Sequence, residues 1–235
     1  MARPMKIAQR SFEFTSWGGA RKGAGRPRKP GARLRHAARA PLASRFPVLV
    51  TMRAVAGSPN LRRGAAYAAV EAAIGAANLG GGVRIVHFSV QTNHVHLVGE
   101  AVGTSELSRG LQGLSIRIAR GVNRATRRRG KLWADRYHAR VLRTPREVRN
   151  ALCYVLQNAR RHSDVRRGIV EPGWIDPCSS GRWFEAWRGE HRAAPRTDAV
   201  AEPPPVAAPR TWLLSTGWRR WGLIDVDEVP PAAFG

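Results

Sequence analysis

Residues Asn93-His94-Val95-His96-Leu97-Val98 decide how this chain is read. Successive side chains of a β-strand point to opposite faces, so a strand here puts His94 and His96 on one face and Val95 and Leu97 on the other. Two neutral imidazoles about 7 Å apart, two strand rises of ~3.3 Å, can converge on one divalent metal. A polar, solvated strand face would use the same residues, and His-x-His alone does not separate the two. The surrounding elements do.

Upstream, Val83–Thr92 alternates Val86, Phe88 and Val90 with His87, Ser89 and Gln91, which predicts a second strand. Thr92-Asn93 then forms a tight turn, making a hairpin with His94–Ala101. Earlier still, Phe46–Ala54 is a strand rich in β-branched residues, and Leu61–Ala77 is an Ala-rich helix between Pro59-Asn60 and the glycines at 80–82. Downstream, Ser105–Arg129 carries Leu107, Leu111, Leu114, Ile118 and Val122 at helical spacing, one buried stripe. A strand follows over Arg136–Arg143. Thr144 as N-cap, Pro145 in the first turn and Glu147 completing a capping box then start a helix that runs to about Arg161. The order β-α-β-β-α-β-α predicts an α+β fold: a ferredoxin-like βαββαβ core with an antiparallel sheet and an added C-terminal helix.

Forty Lys+Arg against sixteen Asp+Glu give a formal charge of +24 and a sequence pI near 11.8 over 235 residues. Such a field implies a polyanionic partner, with nucleic acid the first candidate. No run of about 18 apolar residues could cross a membrane, and the N-terminus lacks the apolar core of a secretory signal. Cys153 and Cys178 are too few for a disulfide scaffold or a Cys-based zinc site. The expectation is a cytoplasmic, nucleoid-associated bacterial protein.

Five regions emerge. Residues 1–45 form a flexible basic arm in which Gly25-Arg26-Pro27-Arg28-Lys29 resembles an AT-hook. Arg26, Arg28 and Lys29 either reach into a minor groove or hold phosphates as a solvated tail. Residues 46–170 form the folded domain, and 171–191 a Trp-rich appendage. An Ala/Pro linker spans 192–210, and a tail with Trp212, Trp218 and Trp221 spans 211–235; those tryptophans either dock on the core or contact DNA. On the long helix, Arg117, Arg120, Arg124, Arg127 and Arg128 lie mostly off the apolar stripe, as a phosphate-contacting face would.

Three tyrosines could act as nucleophiles. Tyr67 sits in the Ala-rich helix as a core residue, and Tyr137 packs beside Trp133. Tyr154 has a different setting. On a helical wheel of about 100° per residue, Val148, Ala151, Leu152 and Val155 form the core face. Tyr154 and Asn158, one turn apart, share its flank, and Gln157 points nearly opposite. A phenol and an amide presented together, near two strand histidines, suit a metal-assisted transesterification. His94, His96 and the Asn158 amide oxygen would hold a divalent ion with open positions, and Tyr154 would attack a phosphodiester to give a phosphotyrosine.

These segments also resemble a known family. Asn93–Val98 looks like the His-hydrophobic-His motif of HUH-type endonucleases. Trp133-Ala134-Asp135-Arg136-Tyr137-His138 and Tyr154-Val155-Leu156-Gln157-Asn158 look like the rest of the REP-associated tyrosine transposases. The resemblance covers roughly residues 46–170. It implies that His94 and His96 bind metal, that Tyr154 is the nucleophile and that Asn158 is a third, amide ligand. It further implies cleavage of single-stranded DNA beside imperfect hairpins with Mg²⁺ or Mn²⁺, by a monomer or homodimer. Many relatives follow the asparagine with proline; here Ala159 follows, so the helix is expected to continue through Arg160-Arg161. The competing readings are a DNA-binding protein that no longer cuts, a replication-initiator or relaxase nickase, and a zinc-stabilised fold, which lacks the required Cys/His spacing.

Overall fold

The computed structural model describes residues 41–160, 171–193 and 203–230, so Arg26, Arg28 and Lys29 of the basic arm lie outside the described residues. Its centre is a four-stranded antiparallel sheet in the order β2-β3-β1-β4: β1 is Val48–Arg53, β2 Arg84–Val90, β3 His94–Glu100 and β4 His138–Val141. Helices α1 (Gly64–Leu79) and α2 (Thr104–Ala125) connect β1 to β2 and β3 to β4. This is the ferredoxin-like arrangement, with α3 (Pro145–Leu156) added after the last strand.

Period-two alternation divides the sheet between two cores. Val48, Val50, Met52, Val95 and Leu97 face α1 and α2, where the fully buried stripe Leu111, Leu114, Ile118 and Val122 meets them. Leu49 and Val98 face the other way, against Val148, Leu152 and Val155 of α3. In β2 the expected alternation fails at one step. Ile85 pairs with Gly99 but His87 with Val98, so Val86 is an extra residue in a bulge. The bulge inverts the phase of the strand, and Val86 joins the α3 core while Phe88 and Val90 stay with α1 and α2.

The start of α3 is set by the anticipated capping box. Thr144 Oγ1 accepts from the Glu147 amide at 3.2 Å, and Glu147 accepts from the amides of Thr144 at 3.2 Å and Arg143 at 2.8 Å. The helix ends at Leu156, earlier than expected. Gln157 has φ −107° and ψ 15°, which interrupts the helix before Asn158 and Ala159 resume helical backbone.

Described residues beyond 171 pack over α3. Short strands pair β5 (Trp174–Ile175) with β7 (Arg192–Ala193), and β6 (Trp187–Arg188) with β8 (Ile224–Asp225). Trp218, in a 3₁₀ turn over Gly217–Trp221, is only 2% exposed and packs in one cluster with Leu213, Leu214, Phe184 and Trp187. Arg149 of α3 holds Glu228 through two hydrogen bonds of 2.7 and 2.8 Å and donates to the carbonyls of Gly222 and Leu223, both at 3.0 Å. Within the stretch read as a linker, residues 203–210 run along β2. Ala207 N donates to Ile85 O at 2.8 Å, Asn78 Nδ2 donates to Pro205 O at 2.7 Å, and the buried Glu100 carboxylate accepts from the amides of Arg210 and Thr211. No described helix is long and apolar enough to cross a membrane.

Candidate active site

Strand register brings the first site residues together. Residues opposite one another on neighbouring strands share a face. Thr51 of β1 lies opposite both His96 of β3 and His138 of β4, and Arg53 lies opposite His94. All five therefore look toward the α3 side. The imidazoles of His94 and His96 stand 4.7 Å apart between centroids, nearly perpendicular at 80°.

The third partner comes from α3. Tyr154 is almost fully buried and places its hydroxyl 3.2 Å from His96 Nε2, with ring centroids 4.9 Å apart. The opposite ring nitrogen, Nδ1, lies 3.0 Å from Thr51 Oγ1. Either tautomer satisfies both contacts, because each hydroxyl can donate or accept; with the proton on Nδ1, donated to Thr51, Nε2 accepts from the phenol. His94 donates from Nδ1 to Asn93 Oδ1 at 2.8 Å, which leaves its lone pair on Nε2 as well. In that tautomer of His96, both rings carry their lone pair on Nε2, the form in which an imidazole ligates a metal.

Asn158 lies four residues beyond Tyr154, past the interruption at Gln157. It is fully buried, and neither Oδ1 nor Nδ2 has a hydrogen-bond partner. An unsatisfied buried amide costs about 1–3 kcal/mol, which a divalent ion or substrate accepted at Oδ1 would offset. Two imidazoles and one amide oxygen suit a hard or borderline divalent cation. Among the described residues no group of three His, Cys, Asp or Glu side chains could hold a metal.

Gln157, expected to point away from the core, is buried. Its amide donates to Asp225 O at 3.1 Å and also to Val226 O. The wheel placed it opposite the sheet correctly, but the C-terminal segment covers that side. Beside it Arg160 pairs with Asp227 at 2.7 Å. Residues 157 to 160 are therefore tied to the C-terminal segment on either side of Asn158.

The expected arginine face of α2 forms but stands elsewhere. Arg117, Arg120, Arg124 and Arg127 are exposed, and Arg128 is half-buried with a hydrogen bond to Asn123 Oδ1 at 3.2 Å. They belong to the layer across the sheet from Tyr154. On the Tyr154 side the exposed basic groups are Arg53, His138 and Arg140, with Arg143 and Arg146 at the start of α3. Thr51 and His138 carried no assigned role in the sequence, because their place opposite His96 depends on strand register. The other tyrosines stand apart from the histidines: Tyr67 donates to Pro177 O at 3.1 Å, and Tyr137 to Ser108 Oγ at 3.3 Å.

A ferredoxin-like sheet with two strand histidines facing a tyrosine on an added helix is the class of structure defined here. No protein-family model and no curated protein matches the sequence. Among solved structures, the fold is similar to one described as "Structure of the REP associates tyrosine transposase bound to a REP hairpin". That likeness has a TM-score of 0.51 at 15% identity, spanning 72% of this chain and all of the other. At such identity the two proteins share a fold.

Proposed function

We propose that this protein is a single-stranded DNA endonuclease and strand transferase of the HUH type, a REP-associated tyrosine transposase acting beside imperfect hairpins. The observation that carries the reading is the 3.2 Å contact between Tyr154 and His96, residues 58 positions apart that the fold brings together in a buried setting. The solved relative in which a similar fold holds a REP hairpin supports the DNA class.

In this reading Tyr154 Oη attacks a phosphodiester. Its O–H bond breaks, a new O–P bond forms, and the bond from phosphorus to the departing deoxyribose oxygen breaks as that oxygen takes a proton. The phosphotyrosine conserves the phosphodiester energy, so rejoining needs no nucleotide cofactor. Mg²⁺ or Mn²⁺ held by His94, His96 and Asn158 would supply Lewis acidity at the scissile phosphate. His96 Nε2 has one lone pair, so its hydrogen bond with the phenol and metal ligation are alternatives. Thr51 holds the ring in either case. Arg53, His138 and Arg140 lie on the exposed approach along the same sheet face and suit phosphate contacts. The α2 arginines would add affinity away from the cut, and Arg26, Arg28 and Lys29 of the arm would bind phosphates or a minor groove.

The test is covalent capture. Protein incubated with end-labelled hairpin DNA and Mn²⁺ is expected to give an SDS-stable adduct that Tyr154→Phe does not form, while Tyr154→Phe still shifts the hairpin in a gel. An adduct of undiminished yield in Tyr154→Phe would place the nucleophile elsewhere.

A further inference from the structure

The three tryptophans of the C-terminal tail part company in the fold. Trp218 is the anchor, buried beneath Phe184 and the apolar face of α3. Trp212 and Trp221 are 49% and 55% exposed although they flank it in sequence. A Cβ at Gly217 would lie 2.7 Å from the Trp212 ring, so glycine there lets that ring lie flat against the turn. Each exposed indole carries a guanidinium. Arg220 lies 4.9 Å from the centroid of Trp212, and Arg146, from the first turn of α3, lies 5.3 Å from that of Trp221.

Large exposed aromatics cost solubility, and a chain anchored by the buried Trp218 between them has no packing need for them. Alternating indole and guanidinium groups are what a single strand requires: flat faces for unstacked bases and cations for the phosphates between them. The formal charge of +24 favours a polyanion over an apolar protein partner. The place is also apt. Arg146 and Tyr154 are eight residues apart on one helix, about 12 Å along its axis, the reach of roughly two extended nucleotides.

We infer that Trp212, Trp221, Arg146 and Arg220 form a stacking platform for single-stranded nucleic acid, separate from the His94–His96–Tyr154 cluster. The identification of that strand as DNA rests on the function proposed above; the stacking itself does not.

The probe is a fluorescein-labelled oligothymidine of about ten nucleotides, with no hairpin and no metal, read by anisotropy against full-length protein. Trp221→Ala should weaken binding about fivefold or more, the loss of one base stack, and Trp221→Phe should recover most of it. An abasic strand of equal length and charge should bind the wild type more weakly than oligothymidine, and should not distinguish the wild type from Trp221→Ala. Unchanged thermal unfolding of Trp221→Ala would show that the tail stays docked through Trp218. Equal affinity of wild type and Trp221→Ala for oligothymidine would overturn the proposal, as would an abasic strand that binds as tightly as one with bases. Dissociation of a dimer by Trp221→Ala in sedimentation, with binding per protomer unaltered, would instead make the patch a self-association surface. No strand is cut in this assay, so its failure is distinct from failure of the Tyr154 assignment.

Discussion

On its α1/α2 side the central sheet buries an apolar core, whereas on its α3 side the same strands bury His87, Ser89 and His96, with Gln157 and Asn158 arriving from the chain after α3. One face can be assembled by hydrophobic burial alone. The other must satisfy each polar group with a partner of the right kind, and at Asn158 it leaves two atoms without one. The candidate site lies on the second face, where polar groups are buried beside a second apolar cluster. That division is open to direct attack.

The largest expected effect is on the apolar side. Leu114→Ala, at a fully buried position of α2, should lower unfolding free energy by about 2–5 kcal/mol in chemical denaturation. Adduct formation per folded molecule should be unchanged. A selective loss of adduct in the folded fraction would break the division.

Acid should act through the polar side. Burial lowers the His87 pKa to about 4, so the folded protein holds this imidazole neutral while the unfolded chain protonates near pH 6.5. The depressed folded value means that His87 favours folding above pH 6.5. Stability is then lost as pH falls from about 6.5 through 4, by about 3 kcal/mol in all. Denaturation curves across that range should flatten in His87→Leu; an unaltered slope would assign the acid response to other groups.

Asn158→Leu should move stability and function in opposite directions. Removing an unsatisfied buried amide for a side chain of similar volume should raise unfolding free energy by about 1 kcal/mol, while Mn²⁺ affinity measured calorimetrically falls. Destabilisation would show that the amide has a structural partner. Tyr154→Phe removes the phenol that shares His96 Nε2 and should bind Mn²⁺ at least as tightly as the wild type; weaker binding would make the phenol oxygen a ligand. The smallest change expected is for Thr51→Val, about 1 kcal/mol in stability, with adduct yield reduced several-fold as His96 loses the partner of its Nδ1.

The two faces were not equally legible in the sequence. The stripe Leu107, Leu111, Leu114, Ile118 and Val122 repeats at helical spacing and is buried throughout, because a local period reports a local element. The hairpin, the capping box and the pairing of His94 with His96 on one face are legible for the same reason. The inward side of Tyr154 followed from helical phase, but the interruption at Gln157, which precedes Asn158, did not. The side taken by Val86 was not legible, since a bulge is a property of two strands, and Val98 and Gly99 decide it together. The burial of Gln157 was not legible because the segment that covers it, near Val226, lies 69 residues further along. Thr51 needed three strands in register before it meant anything. The tail tryptophans needed the whole α3 face, which sorts one inward and two outward.

Glu147 has a consequence beyond the stability of a helix end. Its carboxylate ties the amides of Arg143 and Thr144 to the first turn of α3 and pairs with Arg140 of β4 at 3.2 Å, so helix and edge strand share one fixed origin. From that origin every residue adds about 100° of rotation and 1.5 Å of travel. Ten residues on from Thr144, the phenol of Tyr154 arrives over His96 because the count began where it did. The cap sets the zero of a dial, and one residue inserted between Glu147 and Tyr154 would turn that phenol about a quarter of the way around its helix while leaving the helix intact.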